Sequence, residues 1–256
     1  MTDFNLNADM AEGYGPWRMG DDDGLLQIIS SANIACGFHA GDYQIMGEVM
    51  KKAQQQGVSV GAHPGFYDLH GFGRRQMSLS EAEVERLIAY QLGASLGVAA
   101  REQVAVTHIK PHGAINNMAC ADKGLAAAIA RAVKAVDAQI IMLAPVLSEL
   151  LSESKKAGLR VAEEVFADRA YMPDGQLVPR RRLDAMIHNP DDSLAHCLRM
   201  FGDGVIKTVE GTELKVEACS VCVHGDGPAA LATARHIRDG LQAAGFAMKT
   251  LPDIVG

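Results

Sequence analysis

The 256-residue chain lacks an excess of basic charge, any run of apolar residues long enough to cross a bilayer, and any long low-complexity segment. Its 24 Lys and Arg residues are fewer than its 31 Asp and Glu residues, which argues against a sequence-independent nucleic-acid binder, since such a protein needs a basic surface. Charged residues make up 21% of the chain, and with no low-complexity run this excludes a disordered protein.

Signals for export are also missing. The N-terminal segment MTDFNLNADMAE has no basic region followed by an apolar stretch, so no signal peptide is visible. The five cysteines are an odd number and include a single CxxC segment, Cys219 to Cys222, inside an apolar run. These features predict a cytoplasmic protein with reduced cysteines, and neither a membrane nor a nucleic acid is expected as a partner.

Several motifs that identify a chemistry are absent from the sequence. No GxSxG segment occurs, so the serine mechanism of the α/β-hydrolases is not supported. Neither a GxxxxGK[ST] nor a GxGxxG segment is present, so no motif indicates nucleotide binding. The HExxH spacing of a compact metal site is missing as well. A site in this chain therefore has to be assembled from residues that are distant in sequence.

Short apolar segments alternate with segments of helical periodicity along nearly the whole chain. Asp42 is a candidate cap for a helix that stops at Gly57, and Ser80 with Glu83 has the spacing of a capping box. Repeated strand–helix units over about 250 residues favour a closed parallel barrel over an open doubly wound sheet. We therefore predict an α/β fold with one domain, residues 1–256, that forms a single β/α (TIM-like) barrel. The predicted strands are residues 4–9, 32–37, 58–63, 104–110, 139–144, 160–166 and 215–223.

Polar residues follow most of the predicted strands, and parallel barrels build their active sites at this end of the strands. An isolated His or Asp in such a place is often only a turn former or a helix cap, and Asp42 is a candidate for that role. A His beside a Gly nevertheless recurs in the segments HAGD, AHPG, KPHG and HGD, which favours a catalytic pocket. One pocket is expected to gather most of the polar residues at or after the ends of the predicted strands: Asn7, Asp9, Glu12, His39, Asp42, His63, Asp68, His70, Arg74, Arg75, Lys110, His112, Asn116, Asn117, Glu164, Asp168, Arg169, Tyr171, His224 and Asp226.

The end of the first predicted strand supplies Asp9 and Glu12, which are compatible with two chemistries: metal binding through Asp9, or acid–base catalysis by both residues. Asp9, His39 and His63 have the residue types of a divalent metal site with one carboxylate and two imidazoles. Alternatively, Asp9 and Glu12 could divide the roles of general acid and general base.

Two further possibilities concern cations and a thiol. Lys110 and Arg169 could hold a carboxylate or a phosphate. Cys36 could supply a thiolate nucleophile, although a buried cysteine that closes an apolar strand is the more frequent arrangement. His108, which lies inside the fourth predicted strand, is expected to be a hydrogen-bonded residue of the barrel interior.

Six segments resemble the LamB/YcsF family in order and spacing: NLNADMAEGYG, ANIACGFHAGD, GAHPGFYDLHGFGRR, IKPHGAINN, EVFADRAY and CVHGDGP. The resemblance runs from about Phe4 to Gly245. It implies a distorted seven-stranded β/α barrel, similar to the glycoside hydrolase/deacetylase barrels. It also implies opening of the 5-oxoproline lactam to L-glutamate, coupled to hydrolysis of ATP to ADP and phosphate, in a complex with 5-oxoprolinase subunits B and C. A divalent ion, Mg²⁺, is expected with the ATP.

The resemblance also carries site residues over to this chain. The residues expected at the reaction centre are Asp9, Glu12, His39, His63, Lys110, His112, Asp168, Arg169 and His224, and those expected to bind the cofactor are Arg74, Arg75 and Asp226. The chain departs from the family pattern at four positions. Ala8 and Ala11 stand where the family usually has Cys and Gly, Asn116 replaces an aromatic residue, and Gly227 replaces Thr. The change at position 8 argues against a thiol nucleophile there.

Two other classes of function stay open at this point. A stand-alone metal-dependent amidase or deacetylase is compatible with the barrel and with Asp9, His39 and His63. A non-catalytic subunit that binds a small acid and presents it to partner proteins is also compatible with the polar residues at the strand ends.

Overall fold

The computed structural model describes residues 3–223 and 230–256, and in this part of the chain seven parallel strands close into a barrel. The barrel order is β1-β2-β3-β4-β5-β6-β9, and β9 pairs with both β6 and β1. This second pairing is what closes the sheet, so the prediction of a barrel rather than an open sheet is confirmed. The strands are β1 (Asp3–Met10), β2 (Ser31–Ala35), β3 (Ser59–His63), β4 (Val106–Ile109), β5 (Ile141–Pro145), β6 (Val161–Phe166), β7 (Val205–Lys207), β8 (Glu213–Lys215), β9 (Ser220–Val223) and β10 (Ala247–Met248).

The predicted strand 215–223 is wrong as a single element. β8 pairs antiparallel with β7 in a separate two-stranded sheet, and only β9 belongs to the barrel. Between them the chain leaves the hairpin: Val216 N donates to Gly204 O at 2.9 Å, and Cys219 N donates to Glu163 O at 3.0 Å. Only Lys215 of β8 lies within the predicted range, and the barrel strand is confined to the last four residues of the range, beyond the exposed Glu217.

Helices surround the barrel, and their ends follow the capping signals of the sequence. Asp42 accepts from the backbone N–H groups of Gln44 and Ile45 at the start of α2. Ser80 and Glu83 form the predicted capping box at the start of α3. Among the described residues, no helix combines the length and the apolar character that a membrane span requires. The helices are α1 (Asp22–Leu26), α2 (Tyr43–Gln55), α3 (Glu81–Glu102), α4 (Gly113–Ala121), α5 (Lys123–Val136), α6 (Glu149–Lys156), α7 (Pro190–Leu198), α8 (Ala230–Ala243) and α9 (Leu251–Val255).

The apolar core lies between the barrel and the helices, whereas the barrel interior is polar. Successive side chains of a strand point to opposite faces of the sheet. In β1, Phe4 and Leu6 belong to the apolar cluster, while Asn5 and Asn7 are fully buried and hydrogen-bonded inside the barrel. The side chains of β1 therefore alternate between the apolar core outside the barrel and the polar interior beneath the site.

The buried polar residues of the barrel form one hydrogen-bond chain, the interior network, which consists of Asn5, Asn7, Asn33, His108 and Ser220. His108 Nε2 donates to Asn33 Oδ1 at 3.1 Å, and Asn33 Nδ2 donates to Asn7 Oδ1 at 2.7 Å. Asn7 Nδ2 donates to Ser220 Oγ at 2.9 Å, and Ser220 Oγ donates to Asn5 Oδ1 at 2.8 Å. Each donor meets an acceptor, as buried polar groups require, so the interior network holds the strand ends in place beneath the site.

Candidate active site

A cavity of about 530 Å³ lies at the C-terminal ends of the barrel strands. Its lining includes the last residue of three strands, His63 of β3, Pro145 of β5 and Phe166 of β6, together with Lys110, which follows β4. The volume is in the range of small-molecule sites. The cavity therefore occupies the place where parallel barrels carry their active sites.

Lys110 lies at the centre of a buried group of charges. Its Nζ is 3.0 Å from Asp9 Oδ1, 3.1 Å from Glu164 Oε1 and 3.0 Å from Cys222 Sγ. Burial alone would lower the pKa of Lys110, but Asp9, Cys222 and Glu164 raise it well above its ordinary value. Burial raises the pKa of the Glu164 carboxyl, and it holds the Cys222 thiol in its neutral form by raising the pKa of that group well above its ordinary value. Lys110 is thus a permanent cation that orients Asp9 rather than a base.

The other carboxylate oxygen of Asp9 faces an imidazole. Asp9 Oδ2 lies 3.2 Å from His63 Nε2, and Asp9 Oδ1 also accepts from Asn33 Nδ2 at 3.0 Å. The opposite ring nitrogen, His63 Nδ1, is 2.6 Å from the carbonyl oxygen of Lys110. A carbonyl oxygen only accepts hydrogen bonds, so His63 carries a proton on Nδ1, while its Nε2 faces the carboxylate of Asp9.

Three imidazoles and one carboxylate form the rim cluster, which consists of Glu12, His39, His63 and His112. His112 Nε2 donates to Phe72 O at 2.8 Å, so its Nδ1 presents a lone pair, 3.0 Å from His63 Nε2. The rings of His39 and His112 are stacked with centroids 3.7 Å apart, and His39 Nε2 is 3.2 Å from Glu12 Oε1.

The three imidazoles of the rim cluster lie close together because two glycines leave room for them. A Cβ atom at Gly73, whose φ is +60°, would lie 2.7 Å from His39 Cβ and 2.9 Å from His112 Cδ2. A Cβ atom at Gly65 would lie 2.7 Å from His39 Nδ1. Burial, reinforced by the neighbouring imidazoles, lowers the pKa of His39 well below its ordinary value and the pKa of His112 to about 3. Both rings are therefore neutral near pH 7.

Arginine side chains line the same cavity. Arg74, Arg169 and Arg180 all belong to the lining, and Arg169 is buried. Arg169 Nη2 donates to Val178 O at 2.8 Å, while its Nε is buried without a hydrogen-bond partner among residues 3–223 and 230–256. Burial and the nearby Arg180 lower the pKa of Arg169 to about 10, so the group is still charged at neutral pH. The cavity thus combines acid–base groups with a place for an anion.

Three of the residues predicted for the reaction centre or for cofactor binding do not line the cavity, although the structure describes them: Arg75, Asp168 and His39, whose ring stacks on that of His112. Arg75 forms an ion pair with Asp68, and its own side chain is exposed. Asp168 lies beside Arg169 and raises the pKa of that guanidinium by its charge, but its side chain is not part of the cavity wall. Their neighbours Arg74 and Arg169 do face the cavity, because adjacent residues point in different directions. His224, Asp226 and Gly227 lie outside the described residues.

The thiol hypothesis for Cys36 is not supported. Cys36 is buried, and its Sγ lies 3.4 Å from the carbonyl oxygen of Ile34. Burial raises the pKa of the Cys36 thiol to about 12, so the thiolate that a nucleophile requires is not formed at neutral pH.

Sequence reasoning missed two residues of the site. Asn33 holds Asp9, and the signal for it was the alternation of polar and apolar residues along β2, where Ser31 and Asn33 share a face. Phe72 contributes a backbone carbonyl to His112 from a left-handed conformation with a φ of +53°. No residue pattern reveals such a backbone contact.

Comparison with known proteins gives one consistent set of similarities. A family model described as the LamB/YcsF family matches residues 4–256. The chain is 50% identical over 254 residues to the A subunit of 5-oxoprolinase from Azoarcus sp. (strain BH72), covering 99% of each chain. It is 41% identical to the lactam utilization protein from Thermus thermophilus, with a TM-score of 0.92 and coverage of 98% of this chain and 100% of that chain. A deacetylase solved with its substrate shares the fold alone, at a TM-score of 0.50 and 11% identity, covering 99% of this chain and 90% of that one.

Proposed function

Because the chain belongs to the LamB/YcsF family, we propose that it is the subunit of an ATP-dependent 5-oxoprolinase that opens the 5-oxoproline lactam to L-glutamate. Relatives that are named as the A subunit of 5-oxoprolinase and as a lactam utilization protein support this proposal. The observation that carries it is the content of one cavity, in which Asp9, Lys110 and His63 stand together with Arg169. A lactam that bears a carboxylate needs acid–base groups for the ring amide and a cation for the carboxylate.

Arg169 is the proposed partner of the substrate carboxylate. 5-Oxoproline has a carboxylate on the carbon next to its ring nitrogen, and a guanidinium binds a carboxylate through two parallel hydrogen bonds. The buried Nε of Arg169 has no partner among the described residues, so a donor is available at this wall of the cavity. Arg74 and Arg180 add positive charge to the same cavity and favour an anionic ligand.

Asp9 is the proposed general base. The five-membered lactam is a resonance-stabilised amide with little strain, so water attacks it slowly unless a base removes a proton from the water. Asp9 Oδ1 is held by Lys110 and Asn33, and Oδ2 lies 3.2 Å from His63 Nε2, a distance suited to proton transfer. When the C–N bond breaks, the ring nitrogen needs a proton to leave as an amine, and the proton that Asp9 takes from the attacking water is the proposed source.

ATP and the partner subunits belong to the same proposal. Transfer of the terminal phosphoryl group of ATP to the amide oxygen would make the ring carbon more electrophilic; attack by water and cleavage of the C–N bond would then leave an acyl phosphate, and a second water would hydrolyse it to glutamate and phosphate. Mg²⁺ is the expected ion with the nucleotide. We assign subunits B and C as partners because the relatives are named as the A subunit of an enzyme. A cytoplasmic location agrees with five free cysteines, four of which are buried.

An assay of glutamate release tests the proposal. The purified chain is incubated with 5-oxoproline and ATP, alone and with the candidate subunits B and C, and glutamate and phosphate are measured. We expect release only with ATP and partners, in equal amounts of the two products. The Arg169→Met variant should raise KM more than it lowers kcat, whereas Arg182→Met, which removes a surface ion pair with Asp184, should change neither.

Each alternative function predicts a different result. Amide hydrolysis by the chain alone without ATP would contradict the proposal and favour a stand-alone amidase or deacetylase. Full activity of the complex with an Asp9→Asn chain, combined with binding of 5-oxoproline to that chain, would favour a subunit that only binds the substrate.

A further inference from the structure

The ligand atoms of the rim cluster all lie within 4.8 Å of one another. We propose that Glu12, His39, His63 and His112 bind one divalent transition-metal ion of the Zn²⁺ type. This set differs from the sequence-based candidates Asp9, His39 and His63: it contains Glu12 in place of Asp9 and adds His112. The inference rests on the donor atoms alone and does not depend on the proposed lactam reaction.

The first argument is the orientation of two imidazole lone pairs. Backbone carbonyls accept hydrogen bonds from His63 Nδ1 and His112 Nε2, so the opposite ring nitrogens, which face each other at 3.0 Å, are left for a cation or a proton; Asp9 Oδ2 lies 3.2 Å from the same nitrogen of His63. Two lone pairs at this distance repel each other unless a cation or a proton lies between them. Metal-binding histidines almost always donate their other N–H to a carbonyl, a carboxylate or a water, and both rings have that partner here.

The second argument is the spacing of the donors. Metal–ligand bonds of about 2.0–2.1 Å in a tetrahedral zinc site place neighbouring ligand atoms about 3.3 Å apart. In the rim cluster, the separation is 3.0 Å from His63 Nε2 to His112 Nδ1, 3.2 Å from His39 Nε2 to Glu12 Oε1, and 3.6 Å from His112 Nδ1 to Glu12 Oε1. One ion can therefore contact these atoms with small side-chain adjustments.

The third argument concerns the chemical class of the ion. Imidazoles suit Zn²⁺ and neighbouring transition metals, whereas Mg²⁺ prefers oxygen ligands in an octahedral arrangement. A donor set of three imidazoles and one carboxylate therefore favours Zn²⁺ over the Mg²⁺ that accompanies ATP. Glu12, His63 and His112 line the cavity, which is a route of entry for the ion. An ion held there would supply a Lewis acid for an oxygen atom of a ligand.

Metal binding by the tag-free chain is the direct test. The protein is treated with EDTA, dialysed and titrated with ZnCl₂ and, separately, MgCl₂ by calorimetry; a parallel CoCl₂ titration is followed by visible absorption. We expect one Zn²⁺ per chain, no measurable heat from Mg²⁺, and the intense absorption of tetrahedral Co²⁺. Variants His39→Gln and Glu12→Gln should weaken Zn²⁺ binding by about 100-fold or more. His188→Gln, an exposed histidine outside the rim cluster, should bind like the wild type.

Two results would overturn the inference. If the wild-type chain has native circular dichroism but takes up neither Zn²⁺ nor Co²⁺, then a shared proton, not a metal, separates His63 and His112. If His39→Gln and Glu12→Gln, both shown to be folded, bind Zn²⁺ as tightly as His188→Gln does, the ion is bound elsewhere. Because calorimetry reports binding and not turnover, these results are independent of the glutamate assay.

Discussion

The barrel holds two buried polar groups of residues that differ in how their hydrogen bonds are arranged. In the interior network every donor is directed at an acceptor, from His108 through Asn33 to Asn7 and onward. In the rim cluster, ring nitrogens of His63 and His112 face each other at 3.0 Å, and neither is directed at a backbone group. A saturated network stabilises a structure, whereas an arrangement of unmatched acceptors is suited to binding something that is positively charged.

The same comparison applies to the carboxylates. Glu164 lies within the barrel, where Asn7 donates to its Oε1 at 2.9 Å and Lys110 balances its charge. Its Oε2 has no partner among the described residues, so it is an exception to the saturation of its surroundings. Asp9 stands at the boundary, with one oxygen held from below by Lys110 and Asn33 and the other beside His63. We therefore expect substitutions of Asp9 and of the rim cluster to affect activity, and substitutions in the interior network to affect stability.

The largest expected effect is on activity and comes from Asp9→Asn. Loss of the general base should lower ATP-dependent glutamate release by about 100-fold or more. The amide oxygen can still accept from Lys110 and Asn33, so the protein should stay folded. Asp184→Asn, which affects only an exposed ion pair with Arg182, is the control and should retain full activity. Near-normal turnover by Asp9→Asn would remove Asp9 from the mechanism.

The next effect is on stability and comes from Asn7→Leu. The substitution removes the acceptor of Asn33 and the donor to Ser220 inside the barrel, and we expect the free energy of unfolding to fall by about 3 kcal/mol. Denaturant unfolding followed by circular dichroism measures this change. Asn117→Leu, on the exposed side of α4, should change it by less than about 0.5 kcal/mol. Equal effects of the two variants would contradict a stabilising role of the interior network.

A smaller effect concerns the pH dependence of stability at His108. Burial, reinforced by the charge of Lys110, lowers the pKa of His108 from 6.5 to about 3. Between these values the unfolded chain binds a proton that the folded chain does not. The free energy of unfolding therefore falls as pH decreases through this window, by up to about 1.4 kcal/mol per pH unit from this residue.

The His108→Gln variant isolates this contribution. Between pH 4 and 6, the free energy of unfolding of this variant should fall less steeply with decreasing pH than that of the wild type, by up to about 1.4 kcal/mol per pH unit. Denaturant titrations at each pH measure the difference. The exposed His188→Gln variant should keep the wild-type slope. Parallel pH profiles for His108→Gln and the wild type would show that His108 titrates normally.

The smallest expected effect comes from Ala11→Gly, at the turn between Asp9 and Glu12. Ala11 has a φ of +59°, a left-handed conformation that costs a residue with a Cβ about 1–2 kcal/mol. Glycine avoids this cost but loses more conformational entropy on folding, by roughly 0.5–1 kcal/mol. We expect a gain of about 0.5 kcal/mol in the free energy of unfolding, measured by denaturant titration. A loss of stability would mean that the Ala11 methyl group, which is fully buried, packs well enough to outweigh the strain.

Much of the fold could be predicted because its signals are local. The capping residues Asp42 and Ser80 mark the starts of α2 and α3, and the strands of the barrel coincide with the apolar segments to within a few residues, except in 215–223. That segment was misjudged because β8, which is largely exposed, and β9, which is buried, belong to different sheets. The strands that pair with a segment are distant in sequence, and the composition of the segment does not reveal them.

The site could be predicted less completely. The strand ends identified the donors, and the cavity does gather Asp9, Lys110, His112 and Arg169. The same reasoning could not tell Arg74, which faces the cavity, from Arg75, which pairs with Asp68 at the surface. Side-chain direction in an irregular loop depends on contacts that the spacing of residues does not encode.

The sequence by itself determined the repeated strand–helix pattern, the absence of a nucleotide motif and the residue types available for chemistry. The tertiary structure decided which of these residues meet. Closure of the barrel by the pairing of β1 with β9 joins residues more than 200 positions apart, such as Asn7 and Cys222. Only that closure brings acids and imidazoles from separate strand ends to one rim, and only backbone carbonyls fix which imidazole nitrogens carry protons.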